Sequence, residues 1–191
     1  MNFFVFGTDS IVHTNGDGLD DTLWWFKAGT AFSGNLGPAY GGVLEFTLGS
    51  FSGSFLEGNL NGQDLSLVEL YCAVCARNTG TTLSFPLAEA GGFSGGGSGV
   101  SFSLPLLEGE GWLKDPENTL KSAAAPSKCE MAEVLSNLSE LKILGDFTRS
   151  YESVALDSVS FRWGGSSVVK FNGVVLPVCA QGSPDATACT C

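Results

Sequence analysis

Two short runs constrain this chain most. In residues 81–87, Leu83, Phe85 and Leu87 alternate with Thr82, Ser84 and Pro86. Residues 100–106 repeat the scheme, with Val100, Phe102, Leu104 and Leu106 against Ser101, Ser103 and Pro105. Successive side chains of a strand point to opposite faces, so a period of two marks a strand buried on one side. Neither Pro86 nor Pro105 can donate to a ladder, which places each at a strand end, an edge or a bulge. Between the runs lies AGGFSGGGSG, residues 90–99, which reads as a flexible hairpin loop. Glycines that cradle phosphate need a helix N-terminus behind them, and here a strand follows.

The same reading gives strands near residues 3–6, 23–26, 43–48, 65–71, 141–147 and 158–163. A last hairpin is expected over 168–176, turning at Asn172-Gly173. One helix stands out. Ser127 and Glu130 form a capping box, and Met131, Val134, Leu135 and Leu138 follow at the spacing of one buried stripe. Many strands, one short helix late, then strands again predict an all-β chain. The expected architecture is an antiparallel, jelly-roll-like β-sandwich with one short covering helix near residues 127–138. The sandwich is expected over 1–177, followed by a cysteine-rich tail over 178–191. Its centre is expected in residues 23–46, where Trp24, Trp25, Phe26, Phe32, Tyr40 and Phe46 flank a Gly- and Pro-rich turn.

Charge narrows the partners. The net charge is -11, and the nine Lys and Arg residues form no cluster. Nucleic acid needs a basic footprint, as does electrostatic attachment to anionic lipid. An acidic surface favours cations instead. No apolar run approaches the ~20 residues of a membrane span, so no membrane insertion is expected. The opening MNFFVF lacks a basic n-region and a cleavage site, so no signal peptide is seen in this chain.

The six cysteines are Cys72, Cys75, Cys129, Cys179, Cys189 and Cys191. An even number with three crowded at the end points to disulfides and an oxidising compartment. Structural zinc is a weaker reading, because C-x-x-C is matched only by C-x-C and the single His13 lies far off. YCAVCARNTG reads as a strand running into a turn, which argues against a thioredoxin-type redox motif. Residues 13–21, HTNGDGLDD, partly match a calcium loop, but His13 and Trp24 stand where ligands belong. An Asx-rich turn and a looser calcium site both remain open. No Ser-His-Asp set or carboxylate pair presents itself, so the chain reads as no enzyme.

Two stretches together resemble the laminin IV type A, or laminin B, domain. The first carries Trp25, Phe26, Phe32, Gly34, Asn35, Ala39, Tyr40, Gly41, Gly42, Leu44 and Phe46. The second carries Leu135, Leu138, Leu141, Ile143, Gly145, Phe147, Thr148, Leu156, Asp157 and Val159. They span roughly residues 20–163. Cys72 and Cys75 are not part of the pattern. The resemblance implies a non-catalytic structural or adhesion module of the extracellular matrix or cell surface, secreted and acting through protein–protein contacts. Similar sandwiches bind carbohydrate, and many hold a structural calcium. By that analogy Asp157 would join Asp17, Asp20 or Asp21 around calcium. Trp112 and Tyr151, in polar surroundings, would stack on glycans. Self-assembly into a fibre or surface layer is a third expectation. Asn137-Leu138-Ser139 is an N-glycosylation sequon.

Overall fold

The structure is a computed structural model that describes residues 5–9, 23–55, 64–115, 124–148, 151–163 and 168–170. Its strands are β1 Val5–Asp9, β2 Trp25–Lys27, β3 Val43–Ser52, β4 Ser66–Cys72, β5 Thr81–Pro86, β6 Val100–Pro105, β7 Leu113–Asp115, β8 Glu140–Leu144, β9 Glu152–Arg162 and β10 Val168–Lys170. All pair antiparallel, in two sheets. One runs β1-β9-β3-β6, with β10 also on β9; the other runs β2-β8-β4-β5-β7. Consecutive strands thus repeatedly change sheet. With β7 and β10 set aside, this is the eight-strand order of a jelly roll.

The alternating residues meet between the sheets. In β3, Leu44, Phe46 and Leu48 are almost fully buried, and the Phe46 ring stacks on Phe102 at 5.1 Å. Phe161 of β9 and Leu70 and Leu83 of the other sheet are fully buried. Each such side chain contributes roughly 1.5–3 kcal/mol of burial. Pro86 and Pro105 end their strands, where their missing N–H costs no ladder bond.

The helix Lys128–Ser136 packs on β4, β5 and the 3-10 turn Gly37–Ala39. Its capping box forms as expected: Glu130 N–H donates to Ser127 Oγ, and Ser127 N–H donates to Glu130 Oε2. Met131, Val134 and Leu135 carry its buried stripe.

The structure corrects several local expectations. Residues 90–99 do not close a hairpin, because β5 and β6 lie in different sheets. Nor does Phe93 belong to a loose loop. It is 1% exposed and meets the rings of Phe147 at 4.7 Å and Phe55 at 5.5 Å. Trp24 and Trp25 are only partly buried, since β2 is an edge strand. The Trp24 indole instead lies against backbone that only glycine allows: a Cβ on Gly145 would sit 2.1 Å from its ring, and one on Gly7 2.4 Å. β9 begins earlier than its alternation suggests and carries a bulge. Ser160 faces Glu45 and Asp157 faces Thr47, so Ser158 and Val159 together oppose Phe46, and Ser158 takes φ 56°.

Candidate interaction surface

Two of the expected glycan and calcium residues are placed in other roles. Trp112 is 1% exposed, so it cannot present its ring to a sugar. It stands edge-on to Phe85 at 5.2 Å, and its Nε1–H donates to the Pro105 carbonyl at 2.5 Å. Tyr151 is exposed, at 49%. Asp157 sits at the β9 bulge, where its Oδ1 accepts the Ser158 N–H at 2.7 Å. That bond supports the left-handed residue the bulge needs. Asp17, Asp20 and Asp21, the expected calcium partners of Asp157, lie outside the described residues, as does the hairpin turn at Asn172-Gly173. Among the described residues no three metal-ligating side chains converge.

Cys72 and Cys75 are joined by a disulfide and fully buried. The turn after it is unusual: Ala76, Arg77 and Asn78 all take positive φ, at 50°, 59° and 69°. Cys129 lies half-buried on the helix, and Cys179, Cys189 and Cys191 fall outside the described residues. Asn137 is exposed at the helix C-cap, its Nδ2 donating to the Glu133 carbonyl at 3.0 Å.

The described cations are largely committed to neighbours. Lys27 pairs with Glu140, Lys142 with Glu69 at 3.3 Å, Lys114 with Glu130 at 2.5 Å and Arg162 with Glu45 at 3.1 Å. Burial would raise the pKa of Glu140, but Lys27 and Lys142 outweigh it and hold the carboxyl below its ordinary value. Among the described residues Arg77 and Lys128 are exposed outside these ion pairs, and so are Glu89, Glu110 and Glu133.

One groove is left open at the side of the sandwich, where β6 ends one sheet and the three-residue β7 only partly covers β5. It measures about 600 Å³, within the range of ligand-sized clefts. Phe85 and Phe102, each 5% exposed, are among its lining residues, β6 runs along it, and Glu89 and Glu110 line it from the turns at 87–92 and 107–111. The second turn is pinned. Tyr40 donates its hydroxyl to Glu108 at 2.5 Å, and that bond holds the Glu108 carboxyl below its ordinary pKa. Sequence reasoning named Ser101 and Ser103 as an outward face. It did not find the groove, because nothing local says that β6 lacks a second neighbour.

A comparison with the solved structures finds a match to the "L4b Domain of Human Laminin alpha-2". The TM-score is 0.55 at 12% identity, covering 72% of this chain and 68% of that one. At that identity the match speaks for the fold. No curated protein matches the sequence. The family model for Laminin B (Domain IV) matches residues 25–169, from β2 through β10. Within that span fall Tyr40, which holds the turn at Glu108, Gly42, whose backbone packs on the Arg162 carbonyl, Gly145 under the Trp24 ring and Asp157 at the bulge. With three quarters of its length matched and a jelly-roll order to go with it, this chain belongs to the laminin B (domain IV) family.

Proposed function

We propose that the chain is a non-catalytic structural module of the extracellular matrix or cell surface that works by protein–protein contact. The observation that carries this reading is the family match over residues 25–169. It is supported by the buried Cys72–Cys75 disulfide, which fits an oxidising compartment. Among the described residues no helix is long and apolar enough to cross a membrane. The frame is a rigid sandwich whose loops and edges meet partners.

The test is solid-phase binding of the purified chain to decellularised matrix, alongside a glycan array. Saturable binding that protease treatment of the matrix abolishes, and glycosidase treatment does not, is the expected result. Binding that disappears with the glycans would overturn the reading. Running each arm with calcium and with a chelator examines the expected role of Asp17, Asp20, Asp21 and Asp157. The same extracellular reading makes Asn137 a glycan acceptor, and a mass shift on its peptide after secretion from eukaryotic cells checks it.

A further inference from the structure

The open edge of β6 is the surface that the protein-contact reading needs, and the hydrogen-bond pattern says which backbone groups it offers. Leu106 N–H donates to the Gly42 carbonyl, and the Leu106 carbonyl accepts from Gly41 N–H. Backbone groups alternate along a strand, and the β3–β6 register is unbroken from Val43↔Pro105 to Leu48↔Val100. Leu104, Phe102 and Val100 therefore also bond toward β3. Ser101, Ser103 and Pro105 point the other way. The Pro105 carbonyl confirms the parity, since it accepts from Trp112 on that outer side.

The edge is closed at both ends and open between. Pro105 has no N–H, and its carbonyl is taken. Gly99, at φ 79°, turns the chain away before Val100. Among the described residues nothing pairs with the outer side of Ser101 and Ser103. Two N–H groups and two carbonyls thus face the groove as an unfilled ladder. Natural edges are blunted by proline, charge or cover; here the proline blunts one end only.

We propose that this edge accepts an extended segment of a partner protein as an added strand, with Lys or Arg of that segment set against Glu89 and Glu110. In this mode main-chain bonds hold the segment and alternate side chains enter the groove. Phe85 and Phe102 meet its inward apolar side chains. Charge selects the occupant. Glu89 and Glu110 are exposed, and among the described residues neither has an ion-pair partner. A second copy of a chain of net charge -11, pairing edge to edge, would bring two acidic rims together. A basic segment gains where a second copy repels. This inference rests on the protein-contact reading and names the surface for it.

The first measurement needs no variant. By amide-resolved hydrogen exchange, Ser101 and Ser103 should exchange fast in the free protein while Phe102 and Leu104 are protected. The capped peptide Lys-Val-Thr-Val-Lys, labelled for fluorescence anisotropy, should bind, protect Ser101 and Ser103, and weaken as salt rises. The acidic counterpart Glu-Val-Thr-Val-Glu should not bind. Ser103→Pro deletes an outward donor without removing a bond to β3, and should weaken the basic peptide about tenfold. Glu89→Gln with Glu110→Gln should reduce its affinity severalfold and flatten the salt dependence. Slow exchange at Ser101 and Ser103 in the free protein, no binding of the basic peptide, unchanged affinity in both variants, or dimerisation through β6 would each overturn the proposal. Matrix binding that survives Ser103→Pro would also overturn it while leaving the protein-contact reading standing. Failure of the unmodified chain to bind matrix protein would sink that reading itself.

Discussion

Replacing Trp112 separates a core tryptophan from a sugar platform. The side chain is 1% exposed, and an aromatic of this size buries about 150–250 Å². At about 25 cal/mol/Å² that corresponds to roughly 4–6 kcal/mol, an upper bound because unfolded chains already bury some surface. Trp-to-Ala changes in cores cost about 3–5 kcal/mol. Trp112→Ala also removes the edge-to-face contact with Phe85 and leaves the Pro105 carbonyl without its donor. Pro105 is only half-buried and lines the groove, so the penalty at its carbonyl is small. The expected cost is about 4 kcal/mol, or roughly 8–16 °C in Tm for a chain of this size. Trp112→Phe keeps a ring over Phe85 but loses the hydrogen bond and part of the buried indole surface, at about 1–2 kcal/mol. Guanidinium unfolding followed by far-ultraviolet circular dichroism measures both, with an unchanged m-value as the check on two-state behaviour. A Trp112→Ala variant within about 1 kcal/mol of the parent would show that the ring is not part of the core. The burial argument would then fail, and glycan stacking would be back in contention.

Gly42→Ala should cost about 3 kcal/mol, read as a lowered guanidinium midpoint, because the new Cβ would lie 1.8 Å from the Arg162 carbonyl and β3 and β9 would have to part. Ala76→Gly should stabilise by about 0.5–1 kcal/mol, since Ala76 sits at φ 50° and ψ 46°, where relief of left-handed strain exceeds the entropy a glycine adds; a lower Tm would refute this. Burial acts to raise the Glu130 pKa, but the bonds from Lys114 and Ser127 prevail and hold it below its ordinary 4.5. Its contribution is therefore complete above pH 4.5 and is lost as pH falls below that value, through the depressed folded pKa. With about a third of the side chain exposed, Glu130→Gln should cost about 0.5 kcal/mol at neutral pH. That difference should vanish in acid; a gap independent of pH would contradict the ion-pair account.

Local pattern carried far in this protein wherever one residue's task depends on its near neighbours. The period of two in β5 and β6 reports one-sided burial, and Phe102 and Leu83 are buried as it requires. The capping box starts the helix where Ser127 and Glu130 say it should, because both partners lie within one turn. The spaced motifs of two distant stretches identified the family, and the family model covers both.

Trp112 shows where such reading stops. Its neighbours Gly109, Glu110 and Gly111 suggest a wet loop. Its burial comes from Phe85 of β5, the strand that β7 pairs with some thirty residues away in sequence. Asp157 is similar: a carboxylate in a strand could serve a metal or a bulge. The register against β3 gives it the task of accepting the Ser158 N–H. The composition and spacing of the residues were enough to determine an antiparallel sandwich, its helix and its kinship. Which strand ends each sheet, and so which backbone groups of β6 stay unpaired, was decided by tertiary structure alone. A strand's neighbours are chosen by contacts across the whole chain, and no short window of residues records them.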